Sequence, residues 1–234
     1  MTRSLSDVRR DSDGRDSART FADLALQLHD LSTAETVDAV LQFAIRAAGC
    51  TCAAVALLDE DGLLTIGGVS QAMPAELCRS QIVENDGPLV EAVRYGVVVH
   101  VARVRTEARW PAWSSRTLAS GLASAIYAPL RFRNSVLGVL ALYSPLDDGF
   151  PDNAVAVARA LACHASVAVS SARRREQLSK ATELRSLIGR ATGILMERHA
   201  VDADEAFAIL RDHAVAAGLE VHTVAAELVA TRRG

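Results

Sequence analysis

The chain has 234 residues, 50% of them hydrophobic and 23% charged, with a formal net charge of -3. That composition fits a globular protein with room for one medium and one small domain, and it excludes a broad basic field, so any nucleic-acid contact must come from a local patch. No run of roughly 18 apolar residues is present and the start is polar rather than basic-then-apolar, so a cytoplasmic location without membrane contact is expected.

Residues 1–19 are rich in Ser, Asp and Arg and too poor in apolar residues to order themselves, so a disordered tail is expected there. From residue 20 the pattern turns helical. Phe21, Leu24, Leu28 and Leu31 mark a first helix, and Val37, Val40, Leu41 and Ile45 a second, with Thr33 as the cap between them. Residues 52–58 (CAAVALL) and 63–68 read as strands parted by the turn Asp59-Glu60-Asp61-Gly62. Helices are expected near residues 75–83 and 89–95, the latter ended by Gly96, and then a strand over 97–101. A helix near 114–119 precedes a hairpin of strands 123–132 and 136–144. From Asn153 to about His199 proline is absent and the pattern stays helical, with serine and β-branched residues at 170–179 as the place where that connector would break.

The fold class these elements predict is α+β: an antiparallel sheet with flanking helices packed on one face, a long helical connector and a C-terminal three-helix bundle. The upstream part resembles the GAF family over residues 20–172. The likeness rests on Asp86-Gly87-Pro88-Leu89-Val90-Glu91-Ala92-Val93, Arg109-Trp110-Pro111, Ala128-Pro129-Leu130, Leu137-Gly138-Val139-Leu140 and the closing helix 158–171. It implies a pocket between the sheet and its loops for a small molecule or a partner, but does not say which.

Catalysis is not expected. One GAF-fold enzyme class reduces methionine sulfoxide with reactive cysteines, which need exposure and a lowered pKa. Here Cys50 and Cys52 lie in an apolar stretch, Cys78 and Cys163 are scattered, and Leu89 stands where relatives with this domain pairing often have cysteine. The spacing matches neither a disulfide framework nor a zinc site, so all four are expected as buried thiols. His100 and His164 are expected to pack in or beside the core. No metal and no cofactor is expected.

Along the connector, Leu161, Ala165, Ala168 and Ala172 form one apolar stripe, and Ala181, Leu184, Ile188, Ala191 and Leu195 another. Asp202 and Glu205 have capping-box spacing ahead of Ala206, Phe207, Ile209, Leu210, Ala214 and Ala217, with Gly218 ending that helix. A last helix carries Val221, Val224, Ala225, Leu228 and Val229 on one face. Residues 173–234 thus make a connector end and a bundle. The run Leu184-Arg185-Ser186-Leu187-Ile188-Gly189-Arg190-Ala191-Thr192-Gly193-Ile194-Leu195-Met196-Glu197-Arg198, followed by Asp204-Glu205-Ala206-Phe207, Leu210-Arg211 and Val224-Ala225, resembles the ANTAR domain. That resemblance implies RNA binding in transcription antitermination, typically by a dimer that reads two loops.

With Leu184, Ile188, Ala191 and Leu195 turned inward at about 100° per residue, Gly189 and Gly193 fall on the outer face, between Arg185 and Arg190. Two glycines there cost a helix up to about 1 kcal/mol each, which suggests a close approach to the backbone, either by RNA or by another helix. Arginine rims suit phosphates and loop bases. From Arg173 to Arg198 there are six Arg and one Lys against three Glu, a local excess of four positive charges. The expected RNA-binding residues are Arg185, Gly189, Arg190, Thr192, Gly193, Met196 and Arg198. Family members commonly carry lysine at the position of Thr192, and asparagine and lysine at those of Gly218 and Glu220, so positive charge is missing here. The expected function is a homodimeric regulator that senses a small ligand or partner and binds a hairpin in nascent RNA. The alternative is a sensor whose tail dimerises but has lost RNA binding.

Overall fold

A computed structural model of the chain describes residues 31–231. The expected tail and the expected first helix, apart from Leu31, lie outside the described residues. The chain divides between Arg173 and Arg174 into two compact units.

In the first unit, helix α1 (Thr33–Ala48) leads into strands β1 (Cys52–Leu58) and β2 (Leu64–Val69). Helices α2 (Ala72–Glu84) and α3 (Pro88–Tyr95), strand β3 (Val99–Val101) and helix α4 (Pro111–Ala119) follow, then strands β4 (Ser124–Phe132) and β5 (Ser135–Ser144). Helix α5 (Ala154–His199) closes the unit and runs unbroken through residues 170–179. The strands form one sheet in the order β2-β1-β5-β4-β3, every neighbouring pair antiparallel. Ser32, not Thr33, caps α1. Its side chain accepts from the Glu35 amide while the Glu35 carboxylate accepts from the Ser32 amide, so two orphan donors are satisfied reciprocally.

The sheet carries helices on both faces rather than one. β1 is an uninterrupted apolar run, buried from Cys52 through Leu57, and alternation sends its side chains to two different cores. On one face Ala53, Val55 and Leu57 join Leu41 of α1 and Leu161 and Ala165 of α5. On the other, Cys52, Ala54 and Ala56 meet Leu77, Leu89 and Trp113 of α2, α3 and α4. The small side chains of β1 on the second face leave room for those bulky partners. Burying each large one contributes roughly 1.5–3 kcal/mol before entropy is counted. α5 is long and apolar enough over an 18-residue window to pass a hydropathy test for a membrane span. Ala154, Ala158, Leu161, Ala165 and Val169, from its first part, are spent on the sheet.

The second unit holds the rest of α5 with α6 (Ala203–Ala217) and α7 (Val221–Thr231). Asp202 caps α6 by accepting from the Glu205 amide at 2.9 Å, and Gly218 ends it with φ 66, the left-handed conformation that favours glycine. Ala191, Ile194, Leu195, Ala206, Leu210, Ala225 and Val229 form its core. Two expectations are corrected here. Phe207 and Ala217 of α6 are exposed, because residues 206, 210 and 214 already fill the inward stripe. On α5 the buried stripe includes Ile194, with Leu187 packed against it, while Ala181 and Leu184 are only half-buried.

Candidate nucleic-acid interface and sensor core

Gly189 and Gly193 lie exposed on α5, and a Cβ added to either would meet nothing within 4 Å. Among the described residues, then, no neighbour requires these glycines. Both are interior to a helix in which alanine would be favoured by up to about 1 kcal/mol, so the outer surface is left bare without a packing reason inside the fold. Arg185 and Arg190 are exposed on either side, and Met196 continues the same face one turn on, 37% exposed. Among the described residues none of Arg185, Arg190 and Arg198 forms an ion pair, so their guanidinium groups have donors to offer.

Two expected site residues are placed differently. Arg198 is nine positions beyond Gly189, about 180° around the helix, so it is exposed but off this face. Thr192 is half-buried, and its hydroxyl donates to the Ile188 carbonyl at 2.9 Å. That bond turns it back onto its own helix. Sequence reasoning also missed a shallow groove beside the notch, where Leu178, Ser179, Thr182 and Ser186 line up with Arg190. Leu178 is 60% exposed. Its departure from the inward stripe, at a spacing of four from Thr182, was the available signal.

In the sensor unit, the space between the sheet and α2–α4 is filled by the protein itself. Trp113 Nε1 donates to the Tyr127 hydroxyl at 3.0 Å, and the Tyr127 and Tyr143 hydroxyls are 3.1 Å apart. Gln81 Nε2 reaches Tyr127 at 3.4 Å while its Oε1 accepts from the Leu89 amide at 2.9 Å, and Cys78 Sγ lies 3.6 Å from the Tyr143 hydroxyl. Trp110, Trp113, Tyr127 and Tyr143 stack edge to face in succession. Burial without a cation pushes Cys50 up to about 12 and Cys52 and Cys78 up to about 11, the reverse of what a nucleophilic thiol needs. Cys163 corrects the expectation of four buried thiols: it is exposed on α5. His100 also departs from expectation, standing exposed on β3 with its ring 6.2 Å from that of Phe150. No group of three or more metal-binding side chains occurs among the described residues.

A helix-flanked antiparallel sheet followed by a small helical bundle with a bare, arginine-rimmed helix face defines a sensor domain joined to an output module. Family comparison agrees: residues 30–170, more than half of the chain, match the GAF domain, and residues 176–229 match the ANTAR domain. The chain belongs to the GAF-domain family and is a GAF and ANTAR domain-containing protein. No curated protein matches it by sequence at a significant level. Among solved structures, the GAF domain of a phosphoenolpyruvate-protein phosphotransferase from Coxiella burnetii aligns at TM-score 0.54 and 11% identity, over 69% of this chain and 96% of that one. A domain ascribed to a two-component sensor histidine kinase from Sinorhizobium meliloti aligns at 0.52 and 16%, over 62% and 95%. The GAF domain of an Acinetobacter phosphoenolpyruvate-protein phosphotransferase aligns at 0.50 and 15%, over 67% and 94%. At these identities the likeness shows the fold. GAF domains sense small molecules and ANTAR domains bind RNA in antitermination, which makes the chain a regulatory protein of that general kind.

Proposed function

We propose that the chain is a cytoplasmic, homodimeric antitermination regulator whose residues 20–172 sense a ligand or partner and whose residues 173–234 bind a hairpin in nascent RNA. The observation that carries this reading is the bare face at Gly189 and Gly193, to which nothing packs among the described residues, between two arginines that form no ion pair there. Backbone approached closely at a glycine and guanidinium groups on both rims suit a phosphate backbone with an unstacked loop base. Met196 gives that base an apolar surface. Thr192 keeps acceptor capacity on its hydroxyl beside this face, and Arg198, exposed further round the helix, offers a second phosphate contact.

Selection of bound RNA from a random pool, followed by salt-dependent binding, tests the reading. An enriched hairpin is expected. Arg185→Ala and Arg190→Ala should each weaken its binding and flatten the dependence of log K on log salt by about one. Unchanged binding in both variants would remove the notch from consideration.

A second reading is favoured by the outer side of α6, where Phe207 and Val215 are 43% and 76% exposed, with Leu219, 43% exposed, just beyond the Gly218 cap. Such a surface suits pairing with another chain. If no hairpin is enriched and the Val215→Glu variant loses self-association, the module serves protein interaction instead.

A further inference from the structure

β3 is short, and before its start the edge of β4 is unpaired among the described residues. It pairs with β4 only at Val99, His100 and Val101, opposite Tyr127, Ile126 and Ala125, whereas β4 runs on to Phe132. Beside that unpaired stretch of β4, the segment after α3 and the face of α5 border a cleft of about 440 Å³. Small-molecule sites typically fall between roughly 300 and 1,000 Å³. Val97, Val98, Pro129 and Ala162 make its walls apolar, its charged lining is Arg131 and Arg159, and no carboxylate lines it among the described residues. Arg131 donates to the Gly96 carbonyl at 3.0 Å, which fixes the direction of its guanidinium and leaves other N–H groups open. A Cβ at Gly96 would lie 3.1 Å from the Arg131 Nη1, so glycine, here at φ 63, admits that approach. Neither arginine forms an ion pair among the described residues.

Arg131 and Arg159 are exposed at one apolar-walled cleft with their donors available. A carboxylate or phosphate held between them forms charge-assisted, bidentate hydrogen bonds. We propose that this cleft binds a small anion, a carboxylate or phosphate carrying an apolar portion, with the charged end on Arg131 and Arg159 and the rest against Val97, Val98 and Pro129. The inference rests on the sensing role proposed above and gives it a location. Arg159, Ala162 and Cys163 belong to α5, the helix that continues into the second unit, so an occupant touches that helix directly.

Cys163 lines the cleft, and it is the exposed one of the four cysteines, which makes it a built-in reporter. The rate at which iodoacetamide, an uncharged reagent, alkylates Cys163 of the full chain is followed by mass spectrometry in inorganic phosphate, in succinate and in chloride of matched ionic strength. Phosphate, succinate or both should slow alkylation about threefold or more relative to chloride, as a largely occupied site requires by mass action. Protection by one probe alone assigns the charged group as phosphate or carboxylate. Arg131→Gln or Arg159→Gln should abolish protection, and Cys50, Cys52 and Cys78 remaining unlabelled shows that the fold is intact. A variant that labels those three is replaced by the corresponding Arg→Lys, which keeps the charge but loses the planar fork and should also weaken protection. Equal rates in all three salts, or protection that persists in both variants, overturns the proposal. RNA binding is measured separately, so a negative result here leaves the RNA reading standing, and the converse holds.

Discussion

At the residue scale, Gly189 and Gly193 combine a local cost with an unfilled surface, and that pairing separates stability from function. Alanine at either position meets nothing within 4 Å and reduces the freedom of the unfolded chain. Gly189→Ala and Gly193→Ala should therefore each raise the stability of the helical unit, by up to about 1 kcal/mol in chemical denaturation. The same variants should weaken hairpin binding; tighter or unchanged binding would mean that RNA does not approach the backbone there. In the sensor unit, Tyr127 accepts from Trp113 and Gln81 in a site without water-facing alternatives. Tyr127→Phe strands those donors and should cost about 1–3 kcal/mol, read as a lower denaturation midpoint. The buried thiols add a pH dependence. Their folded pKa values are raised from 9.0 to about 11 or 12, so the folded state holds their protons more tightly than the unfolded one. That contribution is complete below pH 9 and is lost as pH climbs through 9 toward 12, so the first unit should unfold more readily across that window. A Cys78→Ala variant should show a shallower decline over the same window.

At the element scale, much was legible because periodicity and punctuation agreed. β1 falls on the residues that CAAVALL marked, and α5 ends at His199 as its pattern indicated. The continuity of α5 past Ser170 and Ser171 was not legible: intrinsic propensity weakens there, but with i→i+4 bonding already running on both sides, elongation costs less than restarting a helix. At the start of α1 the sequence offers two competent hydroxyl caps, Ser32 and Thr33. What selects Ser32 is the reciprocal bond with Glu35, three residues on. For α6, the aspartate cap was legible from spacing. Asp202→Ala should lower the stability of the helical unit by about 1 kcal/mol, measured by denaturation, and Asp202→Ser should restore most of it.

At the scale of the whole molecule, the hydrophobic residues gather in separate cores, two across the sheet and one among the C-terminal helices, with no residue shared between the sheet cores and the helical one. Two units with independent cores are expected to melt in two transitions. Leu210→Ala, at the centre of the helical core, should shift one transition by the equivalent of about 2–5 kcal/mol and leave the other in place. A single transition displaced as a whole in calorimetry would show the units to be one cooperative body.

The sequence by itself determined the order and type of the elements, the helical bundle and the placing of Gly189 and Gly193 on one side of their helix, because these depend on spacing along one chain segment: 3.6 residues per turn fixes which side chains share a side. Only the tertiary structure decided which of those sides are covered. Helices on both faces of the sheet, the exposure of Phe207 and Cys163 and the cleft between Arg131 and Arg159 depend on residues far apart in sequence. A stripe of apolar spacing shows that a face can be buried, but whether it is buried depends on how many partners arrive and where they leave room.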